Sequence, residues 1–380
     1  MNIKNHRVAI VGAGPAGLTL ATILQNSGIN VSVYEAEPSI SARDQGGSLE
    51  LHPKFGQHAL ELAGLRDRFL KESRSADQDF RLLNYVDAVP LFEKIVPPGA
   101  GNEPEIDRLA LRELLLSSLR EGTVLWNHKV TTVERVNETA EHRIVFTNGV
   151  SESFDLMIGA DGAWSKVRRL LSDTMPAYTG VTFVECWIEN VDVSKPDVAA
   201  LIGHGTMFAL HKGIGLLAQR NGNNQVRVYV GFRQPLNDVS AGSICDMGPE
   251  SVRASLLAHL NGWAPSLKEL LLVSEDRFVE RPLYTLPADF EWINRSGVTL
   301  VGDAAHLTPP VGLGVNLAML DAAELAVALC NSSCWEEAVE AQEVVMRERA
   351  HKMNAGAIKG FAEMFADDAP ASVLRHFGVA

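Results

Sequence analysis

The chain is short of the features that would place it in several broad classes. It has only 4 cysteines among 380 residues, Cys186, Cys245, Cys330 and Cys334, too few for the disulfide framework of a small secreted domain. Cys330 and Cys334 end an apolar helical stretch with no His or Cys partner nearby, so packing thiols in a reducing cytosol are expected and a metal site is not. Basic charge is in deficit: 34 Lys and Arg stand against 47 Asp and Glu, a formal net charge of −13. No basic stripe interrupts that balance, which argues against nucleic acid or an anionic membrane as the main partner. No apolar run suited to spanning a bilayer is expected, and the polar opening Met1–Arg7 is expected to carry no signal peptide. Internal repeats and low-complexity tails are missing as well. What remains is 46% hydrophobic residues over a length able to bury a large core. This predicts a globular protein of one large or two closely joined domains, expected to be cytoplasmic and to act on a small molecule.

Against that background the stretch Val8-Ala9-Ile10-Val11-Gly12-Ala13-Gly14-Pro15-Ala16-Gly17 stands out. A short apolar run ends in glycines spaced G-x-G-x-x-G, and an apolar-periodic segment (Leu18, Leu20, Ala21, Leu24) follows at once. The order predicts strand, tight turn, helix. Unpaired N–H groups and the positive end of the helix dipole then face the turn, which suits a pyrophosphate. Gly12 serves the turn, Gly14 the close approach of phosphate to backbone, and Gly17 the packing of helix on strand, with Ala16 in the same turn. Asn30–Glu35 reads as a second strand ending in an acid, 18 residues beyond Gly17, where dinucleotide folds hold a ribose hydroxyl.

Further along, Ser41–His52 predicts a glycine-containing loop entering a short strand, and Phe55–Phe69 a helix. Pro90–Pro104, rich in Pro and Gly, reads as an exposed connection. A helix is predicted from Ile106 with Asp107 as N-cap, and Arg108 and Arg112, four apart, share one of its faces. Thr123–Phe154 alternates like an antiparallel meander, with Asn148-Gly149 as a hairpin turn. It delivers the chain to a buried strand ending in Gly159-Ala160-Asp161-Gly162. Residues 176–288 alternate with period two and predict an antiparallel sheet of their own, one face packed and the other able to roof a cavity. Gly297–Asp303 reads as a third buried strand ending in Gly-Asp. A loop with Pro309, Pro310, Gly312 and Gly314 then opens onto a long apolar helix near Val315, and the last 45 residues read as amphipathic helix.

Three groups in a fixed order resemble the motifs of the FAD-dependent aromatic hydroxylases, the single-component flavoprotein monooxygenases. They are Gly12–Gly17 with Glu35, Asp161-Gly162 with Ser165, Val167 and Arg168, and Gly302-Asp303-Ala304-Ala305-His306. Within that family the stretches Val31–Glu35, Gly46–His52, Pro104–Arg108, Ser165–Arg168 and Gly302–Leu307 are similar to the tetracycline-inactivating monooxygenases of the Tet(X) type. The resemblance implies an α/β fold with a discontinuous Rossmann-like FAD-binding domain (1–175 and 289–335). An inserted antiparallel-sheet substrate domain would cover 176–288 and a C-terminal helical segment 336–380.

The resemblance also implies roles. Glu35 would bind the adenosine ribose, Glu50 and Arg108 would contact FAD beside Arg112, and Asp303 would hold ribityl or ribose hydroxyls. Arg43 would meet NADPH or the mobile flavin, and Asp161 and Gly162 would act on the phosphate and ribose side. Pro310, Gly312, Gly314, Val315 and Asn316 would form the flavin front, where N–H groups at a helix start support negative charge on the pyrimidine edge. His306 is expected to be structural. In the implied activity NADPH or NADH reduces FAD, and O₂ supplies one oxygen atom to an aromatic or polycyclic phenolic compound, possible tetracyclines included. No catalytic side chain is then expected, and the resemblance implies a monomer.

Some positions depart from the pattern. Ala36 stands where relatives often carry Arg, and the loop 309–316 reads one residue shorter, with Leu313 where Gln is usual. The aligned substrate positions, Cys186, Thr206, Ala218 and Arg227, keep none of the expected residues. They predict a retuned pocket, with Arg227 either lining it or solvated. Two other readings stay open: a same-fold flavoprotein that reduces its ligand, and one that binds it without turnover. The W-x-W-x-I-P stretch of a halogenase is missing, and an NAD-only dehydrogenase would not need the Asp161 and Asp303 signatures.

Overall fold

Runs rich in Val and Ile that are covered on both faces favour buried parallel strands. In the computed structural model, which describes residues 3–76, 78–97, 99–136 and 141–379, such runs form a five-stranded parallel sheet. Its order is Val298–Leu300, Leu156–Gly159, Val8–Val11, Val31–Tyr34 and Val124–Leu125. The helices Pro15–Asn26 and Gly314–Asn331 pack together on one face, where Ile10, Leu18, Leu24, Met319 and Leu325 share one core. Each such fully buried side chain contributes roughly 1.5–3 kcal/mol. A three-stranded antiparallel sheet, Val130–Arg135, His142–Phe146 and Ser151–Phe154, brings Phe146 and Phe154 to the other face. Part of the meander expected over 123–154, residues 137–140, lies outside the described residues.

Helix Gly314–Asn331 corrects one expectation, because its 18 residues and mean hydropathy of 1.3 would suffice to cross a bilayer. Here it is a core helix, most of it covered by the neighbouring helices. The helix expected over 55–69 is two, Gly56–Leu62 and Arg66–Glu72, broken at Gly64 with φ +73°. The expected 90–104 connection contains an edge strand, Pro90–Lys94, a place where proline's missing N–H is harmless. The segment Glu105–Asp107 is also extended, pairing antiparallel with Ser48–Glu50, and the helix starts at Arg108. Asp107 holds the N-cap position without capping: its carboxylate accepts from Ser48 Oγ (2.7 Å) and the Gly222 N–H (3.1 Å) instead.

The second sheet has seven strands in the order Val279–Thr285, Ala177–Ile188, Val226–Arg233, Ile214–Arg220, Gly205–His211, Asp79–Leu83, Pro90–Lys94. Two of its strands therefore come from before residue 176. Its alternation separates two faces. Val184, Cys186, Met207, Ala218 and Val228 pack under the helices Pro249–His259 and Pro265–Leu272. Glu185, Gln219, Arg227 and Tyr229 occupy the opposite face, where Gln219 Nε2 reaches the Ser48 carbonyl (3.4 Å) and Arg227 reaches Asp44 (3.1 Å). Phe361 of the long helix Trp335–Met364 and the following Phe365 close one end against Phe183 and Tyr229.

Candidate active site

Three motif turns start side by side at the carboxyl edge of the parallel sheet, where ligands of open α/β folds bind. Gly12 donates to the Tyr34 carbonyl (2.8 Å), Ala160 to that of Val11 (2.8 Å) and Val301 to that of Gly159 (2.9 Å). Gly12 has φ +106°, and a Cβ there would strike the Ala160 carbonyl. A Cβ on Gly17 would strike the Gly12 carbonyl, whereas one on Gly14 would meet nothing within 4 Å. The first turn is thus tight on its protein side and open on the other. The ladder of the first helix begins with Leu18 donating to Gly14 (3.0 Å), so the N–H groups of Ala16 and Gly17 precede it and face the opening.

Glu35 and Arg112 brace this turn from behind. The Glu35 carboxylate accepts from Ala13 N–H (2.8 Å), Glu37 N–H (3.0 Å) and Arg112 (3.2 Å). That uses three of about four acceptor positions and leaves one for a ligand hydroxyl. Arg112 also donates to the Ala13 carbonyl (2.9 Å) and Glu37 (2.6 Å). Burial works against ionisation of Glu37, but Arg112 and Arg43 outweigh it and hold the carboxyl below its usual range. Arg43 is spent on that ion pair, with its side chain 60% exposed. Glu37 is a partner that the sequence pattern did not single out.

Asp161 faces inward upon its own loop. It accepts from Ser165 Oγ (2.5 Å) and from the N–H groups of Lys166 (2.7 Å) and Val167 (3.3 Å). The geometry makes it an organiser of the turn, with Gly162 at φ +76°. Burial pushes its carboxyl upward against those bonds.

Asp303 and Arg108 behave differently. Both keep exposed surface, yet both are enclosed enough that desolvation dominates, raising the Asp303 carboxyl and lowering the Arg108 guanidinium from their ordinary values. Exposed surface within an enclosing protein describes the wall of a deep hollow. Arg108 lies over Gly46 (φ +104°), whose Cβ would sit 2.9 Å from Arg108 Cδ. Tyr229, whose hydroxyl would be 2.6 Å from a Cβ on Gly47, borders the same space.

The helix Gly314–Asn331 points its first turn toward this region. Its ladder opens with Leu317 donating to Leu313 (3.0 Å), so the N–H groups of Gly314, Val315 and Asn316 lie outside it. The Asn316 side chain is buried and fully used: Oδ1 accepts from His52 N–H (2.8 Å) and Gly56 N–H (3.2 Å), and Nδ2 donates to the Glu50 (2.8 Å) and Gly312 (3.1 Å) carbonyls. Asn316 therefore offers a ligand its backbone. Gly312 turns at φ +87° between Pro310 and the helix, and Val311 joins Phe183, Phe361 and Phe365 in an apolar wall. His306 is 3% exposed and pairs with Asp321 (2.6 Å), which in turn accepts from Arg349 (2.5 Å).

Two of the four substrate positions read from the sequence lie on the wrong face. Cys186 and Ala218 are fully buried beneath the helices, and burial raises the Cys186 thiol to about 12. One residue along a strand reverses the face, so Trp187 and Gln219 take the inner one. Thr206 faces inward opposite Gln219. Arg227 is neither solvated nor free: it is 4% exposed, pairs with Asp44 (3.1 Å) and Glu185 (3.2 Å), and stacks on Trp187 at 4.6 Å.

The arrangement fits an extended dinucleotide: an open glycine cradle at one helix start, an uncommitted carboxylate and guanidinium in the hollow, and a second helix start beyond. The comparisons decide which one. A family model described as FAD binding domain matches residues 5–259 and 290–339. The chain belongs to that family. Monooxygenase penA of Penicillium thymicola is 32% identical over 409 aligned positions, 94% of each chain. The structure of Klebsiella pneumoniae HpxO complexed with FAD and uric acid is similar over 99% of this chain and 93% of its own, with 22% identity and a TM-score of 0.82. The tetracycline destructase Tet(55) is similar over 100% and 96%, with 21% identity and a TM-score of 0.73. At such identities the solved structures show a shared fold, and the tetracycline likeness goes no further. This chain is an FAD-dependent monooxygenase of the aromatic hydroxylase type.

Proposed function

We propose that this monooxygenase uses NADPH or NADH and O₂ to hydroxylate an aromatic or polycyclic phenolic small molecule. The observation that carries the reading is the pairing of two walls around one hollow. On one side stand Asp303, Arg108 and the start of helix Gly314–Asn331; on the other stand the partly buried Tyr229 and Val311, backed by the buried Phe183, Phe361 and Phe365. Aromatic walls suit a planar ring, and a cation at the edge suits a phenolate.

Bound FAD supplies the redox chemistry that side chains lack. The chain would bind and orient it: the glycine turn and first helix would take the pyrophosphate, Glu35 and Asp303 would accept hydroxyls, and the N–H groups at the second helix start would support negative charge. The apolar wall excludes water from the reacting face. Tetracycline is the one named substrate the reading includes, supported by the motif resemblance and by fold. Cys186 and Ala218, turned away from the hollow, give it no support.

A panel of phenols and polycyclic aromatics, tetracyclines included, tests the reading. The expected result is substrate-stimulated NAD(P)H oxidation with a product heavier by one oxygen atom in mass spectrometry. Peroxide alone from every compound would count against hydroxylation and favour the flavoprotein that only reduces or binds its ligand.

A further inference from the structure

Glu35, with one acceptor position left for a ribose hydroxyl, also fixes the surroundings of whatever that ribose carries. Its N–H donates to the Leu125 carbonyl (3.0 Å), and its carbonyl accepts from His128 N–H (2.8 Å). The Glu37 carbonyl accepts from Asn127 N–H (3.0 Å). These bonds hold Trp126 alongside the acid. Asn127 then turns the chain at φ +59°, a left-handed conformation that asparagine tolerates better than most residues. Trp187, Trp263, Trp292 and Trp335 are at most 5% exposed and serve the core, whereas Trp126 keeps exposed surface. The Arg112 guanidinium lies over its ring at 5.5 Å. Among the described residues no second ring or cation meets the indole.

We propose that Trp126 is the platform for the adenine of FAD, its open face stacked on the base and its other face backed by Arg112. The same guanidinium bonds to Glu35 at 3.2 Å, so the indole stands one guanidinium away from the acid that takes the ribose. A base on that ribose has only the length of a sugar in which to find a surface. Ala36, next in the chain, is exposed but ends at a methyl, and Glu37 is a carboxylate engaged by Arg112 and Arg43. A flat indole fits a purine, which stacks through its π-face without regard to its hydrogen-bonding edges. This role concerns the cofactor alone and is independent of the substrate.

The test is the affinity of flavin-free, full-length protein for FAD and for FMN, which carries the same flavin without the adenosine. Trp126→Leu keeps apolar bulk behind Arg112 but has no flat face. It should weaken FAD binding at least about fivefold and leave FMN within about twofold. Trp126→Phe restores a ring and should return FAD to within about threefold of the wild type. ADP adds a spectroscopic readout, because it holds the base but no flavin to absorb indole emission. It should quench tryptophan fluorescence in the wild type and not in Trp126→Phe, where the stacked indole is gone. Unchanged FAD affinity in Trp126→Leu, equal losses for FAD and FMN, or a Phe variant as weak as the Leu variant overturns the proposal. So does an ADP response of equal depth in the wild type and Trp126→Phe, no response included. If Trp126→Leu does not fold, the Phe variant and the ADP titration decide alone.

Discussion

Arg168 donates from its guanidinium to the carbonyl of Ala304 at 3.0 Å, joining two cofactor turns that are 136 residues apart. A second bond to the Ala163 carbonyl (2.5 Å) fixes the fork, and Arg168 N–H donates to Ser165 Oγ (2.9 Å). The side chain is 1% exposed, so both carbonyls would lose their partner without water replacing it. Arg168→Met is expected to cost about 3 kcal/mol, read as a lower Tm. Arg168→Lys should recover little of it, because an ammonium cannot reproduce the fork. An unchanged Tm in both variants would remove Arg168 from the bridge between the turns.

The glycine turn gives a paired prediction. Gly17→Ala places a methyl against the Gly12 carbonyl, whereas Gly14→Ala meets open space at φ −78°, which any residue adopts. Gly17→Ala should therefore fail to fold stably. Gly14→Ala should keep the Tm of the flavin-free protein within about 0.5 kcal/mol of stability, yet hold FAD at least about tenfold less tightly, because the methyl occupies the phosphate's approach. Fluorescence titration with FAD and thermal unfolding of the same samples separate the two effects.

His306 predicts a pH dependence of stability. Burial alone would lower its pKa, but the bond and charge of Asp321 outweigh it and raise the pKa above 6.5. Its stabilisation is therefore complete below pH 6.5 and is lost as pH rises through the higher folded value. His306→Asn is expected to lose that slope and to lower stability by about 3 kcal/mol, since it leaves Asp321 with Arg349 as its remaining partner. Denaturant titrations from pH 6 to pH 9 measure it. Asp303→Asn, by contrast, should leave stability nearly unchanged and weaken FAD binding, because the Asp303 carboxylate faces the hollow.

Arg227 holds the loop before Gly46 to the seven-stranded sheet through Asp44, which also accepts from Arg277 (3.0 Å) and from the Gly46 N–H (2.8 Å). Burial opposes ionisation of Asp44, but these partners keep its pKa below the usual value. Arg227→Met leaves Glu185 and Asp44 short of one cation, and a cost of about 3 kcal/mol is expected. A double-mutant cycle with Asp44→Asn should return a coupling of at least about 1 kcal/mol. Trp187 fluorescence should change in Arg227→Met, since the guanidinium stacked 4.6 Å above the ring is gone.

Much of the fold was legible because its signals are local. Buried parallel strands show as short Val/Ile runs, and the glycine spacing marks a turn that needs a left-handed backbone at Gly12 and a missing Cβ at Gly17. The three motif turns, Glu35 and Asp303 could be found this way. Side-chain commitments were less readable. Arg43 and Asp161 carry the residue types a nucleotide site uses, but the folded chain spends one on Glu37 and the other on its own loop. Cys186 lies on the packed face because successive residues of a strand point to opposite sides of the sheet, and residue type alone does not say which side is packed.

By itself, then, the sequence determined the cofactor class. Gly12–Gly17, Asp161-Gly162 and Gly302-Asp303 each encode a backbone shape within a few residues, and that shape survives wherever the element is placed. The tertiary structure alone decided which charges remain available. Whether Arg112 braces a turn or Asn316 offers backbone rather than side chain depends on partners as far as 99 and 266 residues away, and burial and electrostatics at that range have no signature in a local pattern of residues.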